Sequence, residues 1–84
     1  MNTVDLIGMM FENKPIEEFE KILNSGNTAI DWGELLDMCY CEESYESVGG
    51  DEGYRENPPI NQERLTYLSN LIAFLESNGI KGEY

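Results

Sequence analysis

The chain has 84 residues, no histidine, and seventeen acidic residues against five basic ones, for a net charge of −12. That length holds one domain with a small core, and the charge repels nucleic acids and anionic membranes while steering a basic partner toward the surface. Without histidine there is no Ser-His or Cys-His nucleophile pair and no histidine-liganded metal, so the expectation is a non-enzyme with no cofactor and no metal.

Helical spacing begins near residue 3 and predicts a first helix over 3–13. Val4, Ile7 and Phe11 recur at that interval, and Leu6, Met9 and Met10 widen the apolar face. Asn2 or Thr3 supplies the capping oxygen. Pro15 ends this segment, because it lacks an N–H and pushes Lys14 out of helical geometry. It also opens the next, over 15–24, at the first helical position. Glu17 and Glu18 then fall where the helix dipole favours negative charge, and Ile16, Phe19, Ile22 and Leu23 make the stripe. Ser25-Gly26 is the stop.

A third helix is expected over 28–41. Thr28-Ala29-Ile30-Asp31 has the form of a capping box with Asp in place of Glu. Ile30, Trp32, Leu35, Leu36, Met38 and Cys39 are dense enough for a mostly buried helix. Gly33 costs about 1 kcal/mol relative to Ala and suits a close helix approach. From Glu42 to Pro59 periodicity is lost, and Gly49-Gly50, Gly53 and Pro58-Pro59 predict a long loop. The last helix is expected over 61–78. Asn61 caps it, Leu65, Leu68, Leu71, Ile72 and Leu75 form its stripe, and Asn78-Gly79-Ile80 reads as a Schellman stop with Ile80 folded back onto Leu75.

No segment alternates like a half-buried strand. The fold class is therefore all-α, a compact bundle of about four short helices in a single domain over residues 1–84, with a long acidic loop before the last helix. The expected core is Phe11, Phe19, Ile22, Trp32, Leu35, Leu36, Leu68, Leu71, Ile72 and Leu75. No stretch approaches the roughly 20 apolar residues of a membrane span, and the N-terminus lacks a basic signal region. Cys39 and Cys41 lie too close in sequence for a secreted disulfide framework and read as one buried and one surface thiol. The expectation is a soluble, cytoplasmic chain, monomeric when free.

The acidic, aromatic loop carries the one feature above background. Glu42, Glu43, Glu46, Asp51, Glu52 and Glu56 face one base, Arg55, with Tyr45 and Tyr54 among them. It is either a solvated connector or a binding surface. In the second case its carboxylates supply charge-assisted hydrogen bonds to Lys and Arg, and its tyrosines supply rigid contact area. A calcium loop fails on spacing, a phosphate loop lacks its lysine, and no carboxylate pair stands out for acid-base work.

The layout resembles a known family. Phe11-Glu12-Asn13-Lys14-Pro15-Ile16-Glu17-Glu18-Phe19 follows an apolar opening turn, Leu35-Leu36-Asp37-Met38 runs into the acidic tyrosine-containing stretch, and Ile60-Asn61-Gln62-Glu63-Arg64-Leu65 opens a leucine-rich helix. This resembles the bacterial toxin-immunity proteins of the colicin D immunity type and related contact-dependent growth inhibition immunity proteins. The resemblance implies an all-α cytoplasmic antidote that covers the active site of a basic nuclease, often a tRNase, at the C-terminus of its cognate toxin. Carried over by position, it places the partner contacts at Glu42, Glu43, Tyr45, Glu46, Asp51, Glu52 and Tyr54. Two alternatives stay open: a phage-type nucleic-acid mimic, and a short ankyrin-like binding module. The latter rests on Gly26-Asn27-Thr28-Ala29-Ile30-Asp31 and on the run from Leu71 to Ile80.

Overall fold

Helix starts are set by short polar side chains that take over free first-turn amides. In the computed structural model, which describes residues 2–26, 29–50 and 60–82, the elements are α1 (Thr3–Phe11), α2 (Ile16–Asn24), α3 (Trp32–Ser47) and α4 (Gln62–Ser77). Asn2 Oδ1 accepts from the Asp5 amide at 3.0 Å while Asp5 Oδ2 accepts from the Asn2 amide at 3.1 Å, a reciprocal capping box. Asn61 Oδ1 accepts from the Arg64 amide at 3.0 Å. Pro15 precedes α2 directly, as its locked φ allows.

Helix ends are set by residues that tolerate a left-handed backbone. After α4, Gly79 sits at φ +79°; its amide donates to Glu76 O, and the Ile80 amide donates to Leu75 O at 3.2 Å. That is the expected Schellman closure, and Ile80 packs on the core. The same closure ends α1, with Asn13 at φ +57° in the glycine position. The Lys14 amide donates to Met9 O and the Asn13 amide to Met10 O. Asparagine is among the few side chains that occupy this region readily.

The third helix departs from expectation at both ends. It starts at Trp32, capped by Asp31, whose Oδ1 accepts from the Glu34 amide at 3.1 Å. Asp31 is held there by a partner remote in sequence, since its own amide donates to Thr3 Oγ1 at 2.8 Å. The expected cap, Thr28, lies outside the described residues. The helix then runs six residues beyond its expected end, to Ser47, and stops at Gly49, φ +91°. Residues 42–47 lack an apolar period but contain no breaker, so the helix propagates to the first glycine pair.

Packing joins α3 to α4 most extensively, then α1 to α3 and α2 to α4. No strand occurs among the described residues, and the architecture is an all-α bundle. Helices α1 and α2 pack on α3 and α4 rather than extensively on each other, so the first two helices do not form the tight hairpin that a stacked repeat requires. The buried core is Leu6, Met10, Phe19, Ile30, Leu35, Leu36, Cys39, Leu68, Leu71, Ile72 and Leu75. Ile22 and Trp32 are partly buried against it rather than inside it. In α1 the inward pair is Leu6 and Met10, one turn apart; Val4 is 74% exposed, and Phe11, expected in the core, is 50% exposed.

Phe11 is displaced outward by a buried cation. Arg64 is only 6% exposed. Its Nη1 donates to Met10 O at 2.6 Å and to Asn13 Oδ1, and Nη2 lies 3.1 Å from Met10 Sδ and 3.8 Å from a Glu42 carboxylate oxygen. The guanidinium carbon stands 5.8 Å from the Phe11 ring centre and 5.7 Å from that of Tyr67. The last turn of α1 has no base of its own, so Arg64 of α4 supplies the positive charge that its C-terminal dipole favours. Tyr67, one turn on, donates its hydroxyl to Lys14 O at 2.6 Å.

Two outcomes follow from these contacts. Arg64→Ala should lower stability by about 3 kcal/mol, the low end for breaking a buried pair, as measured by urea unfolding. Adding Glu42→Gln should recover part of that loss, because it removes the carboxylate left without its cation. Gly33→Ala would ordinarily stabilise a helix by about 1 kcal/mol. Here a Cβ would lie 2.7 Å from Lys81 O, where the segment after α4 crosses the start of α3. A net loss of about 1–3 kcal/mol is expected from such overpacking, and a stabilised variant would show that this crossing is not tight in solution.

Candidate partner-binding surface

The residues proposed as partner contacts divide on the structure. Glu42, Glu43, Tyr45 and Glu46 lie on the last turns of α3 and not in a loop, while Asp51, Glu52 and Tyr54 lie outside the described residues. Glu42 faces Arg64, and Glu43 accepts from Ser69 Oγ of α4 at 3.2 Å. Glu46 is half-buried and Tyr45 is exposed. Glu42 and Glu43 are therefore turned toward α4, and Tyr45 is the member of this group that stands out into solvent.

The opposite side of α3 carries a further set, which is not marked by any loop signal in the sequence. Asp37, Tyr40, Cys41 and Ser44 recur at the one-turn and two-turn intervals that share a helix face. Together they line an open groove of about 480 Å³. On the other side of Tyr40, Leu36, Asp37, Glu76, Ile80, Lys81 and Gly82 line a second groove of about 300 Å³. Desolvation raises the pKa of the Tyr40 hydroxyl first, and the neighbouring carboxylates of Glu76 and Glu43 raise it further. The wall at Gly82 is close, because a Cβ there would collide with the Asp37 carboxylate. A third groove, of about 460 Å³, runs along α4 past Gln62, Glu63, Thr66, Tyr67 and Asn70.

One buried acid, Cys39, and one half-buried acid, Tyr67, hold their protons tightly. Burial pushes the Cys39 thiol up to about 12, against the opposing pull of Arg64 and with a further push from Glu43. Burial likewise raises Tyr67 to about 12, with Arg64 pulling the other way. Both are neutral at pH 7, and a neutral thiol in such a setting is inert. Among the described residues no three Cys, Asp or Glu side chains gather where they could hold a metal ion. No helix among them is long and apolar enough to cross a membrane. The described surface carries carboxylates beside the exposed rings of Tyr40 and Tyr45.

No protein-family model, curated protein or solved structure matches this chain.

The raised acids give a pH signature. For Cys39 and Tyr67 the unfolded chain releases its protons near the ordinary values of 9.0 and 10.0, while the folded chain holds them to about 12. Between those limits the unfolded state binds fewer protons, so stability should fall as pH rises from about 9 to about 12 and level off above. Chemical unfolding at a series of alkaline pH values checks this. In Cys39→Ala the decline should begin about one unit later, when Tyr67 starts to contribute.

Proposed function

We propose that this protein is an acidic inhibitor that docks onto a basic protein, with the nuclease domain of a cognate bacterial toxin as the leading partner. The observation that carries this reading is the one-sided surface. None of the described acidic side chains is buried, whereas Arg64, one of the five bases, is sealed against the core. Another base, Lys14, is 3.7 Å from Glu12. A surface of this kind meets the phosphate-gripping side chains of a nuclease with opposite charge, which speeds encounter and rejects polyanions. Glu34, Asp37, Glu42, Glu43 and Glu46 all lie on α3. That concentration on one helix fits an antidote that covers a single site better than a mimic that must array charge along a duplex.

Coexpression with a nuclease domain encoded beside this chain's own coding sequence tests the reading. Restored growth is expected, together with a purified complex whose association slows about tenfold or more between 0.01 and 0.15 M salt, as the Debye length falls from about 30 Å to about 8 Å. A neighbourhood without a toxin, or growth arrest despite a normal level of the chain, would overturn the antidote role.

A further inference from the structure

We infer that Asn78 is a latent site of self-modification, guarded by the closure of α4 and by the segment that crosses α3. Asn78-Gly79 is the one Asn-Gly pair in the chain, and Asn78 is exposed to water. Glycine has no side chain to hinder its backbone nitrogen, so that nitrogen can approach the preceding carboxamide. The reaction is a cyclisation. The Gly79 nitrogen bonds to Asn78 Cγ, the Cγ–Nδ2 bond breaks, the Gly79 proton passes through solvent to the leaving nitrogen, and ammonia departs. Water then opens the cyclic imide. Breaking the new Cγ–N bond yields aspartate. Breaking the original peptide bond yields isoaspartate, whose main chain runs through Cβ and Cγ.

The folded geometry opposes each step. Asn78 has φ −93° and ψ 12°, which turns the Gly79 nitrogen toward the Asn78 backbone nitrogen and away from the side chain. The Gly79 amide donates to Glu76 O at 3.0 Å, and Asn78 Nδ2, the leaving group, donates to Phe74 O at 2.8 Å. Attack therefore requires this end of α4 to open. What lies beyond holds it shut. Ile80 packs on the core, Lys81 O lies against Gly33, and Gly82 lies against the Asp37 carboxylate. These contacts reach α3, so a residue far away in sequence sets the rate at Asn78. The change is also one-way. Isoaspartate lengthens the backbone by one methylene, so the Gly79 and Ile80 amides no longer reach Glu76 O and Leu75 O together, and the segment over Gly33 is released. Aspartate is milder: it loses the bond to Phe74 O and puts a carboxylate at the negative end of the helix dipole.

The test holds the full chain in mildly alkaline buffer, folded and in parallel in urea, and follows Asn78 by peptide mapping with mass detection. Conversion in the folded chain should be slower by about tenfold or more, the protection that a locally closed segment gives. Gly33→Ala pushes on the Lys81 carbonyl and should speed conversion in the folded chain by about threefold or more, as should Ile80→Ala, which removes the core anchor. Phe19→Leu, which loosens the core from α2, should leave the rate within about twofold of the parent. In the purified isoaspartate form the NMR amide signals of Gly33 and Lys81 should move while the far-UV spectrum stays helical. Equal rates in the folded chain and in urea, or equal acceleration by Phe19→Leu and Gly33→Ala, would overturn the guard. An unmoved Gly33 signal in the isoaspartate form would overturn the release.

Discussion

A single guanidinium buried at the end of α1 organises this bundle. A charge taken out of water is costly unless every face of it is occupied, and Arg64 is served from three helices: Met10 and Phe11 of α1 with Asn13 just beyond, Glu42 of α3, and Tyr67 of α4. The requirement is mutual. The carbonyls at the end of α1 need donors, and the helix has no base in its last turn. Satisfying both needs with one side chain fixes the end of α1 against the start of α4. It also explains why the sulfur of Met10 is directed inward while Phe11 remains half in water.

The same arrangement gives α3 two unlike sides. Leu35, Leu36 and Cys39 are buried, and Glu42 and Glu43 engage α4 through Arg64 and Ser69. Outward lie Tyr40, Cys41 and Ser44, with Asp37 half-buried beside them and Tyr45 exposed further on. A helix whose inner side is held by both apolar packing and a charged contact presents its outer side rigidly. Here the acidic half of the helix contributes to order as well as to charge.

Much of this was legible in the chain because most of it is local. Pro15, Asn61 and Gly79 act within a turn of their own positions, so α2 and α4 fall within a residue or so of their expected spans. The pattern in α4, Leu68, Leu71, Ile72 and Leu75, is read directly as core. What was missed depends on distant partners. Asp31 rather than Thr28 caps α3, and its amide is held by Thr3, 28 residues away. The helical state of Glu42–Ser47 has no apolar period to announce it. Arg64 sits in the polar first turn of its helix, and nothing in its neighbourhood of sequence announces partners 51 to 54 residues earlier. The candidate surface was half visible: the acids and tyrosines are plain in the sequence, but which side of α3 they occupy depends on where that helix ends.

The crossing at the start of α3 has a mechanical meaning. Thr3 holds the Asp31 amide from one side, and the backbone at Lys81 lies over Gly33 from the other. Parts of the chain near its first helix and beyond its last helix thus grip the same turn, like two stops on a shaft. A slide of α3 by one residue would detach Asp31 from Thr3 and bring a side chain under the Lys81 carbonyl. Such a slide would also rotate the helix by about 100°, carrying Tyr40 away from Glu76. The bearing of the outward groove is therefore set by a clamp at the far end of the helix that carries it.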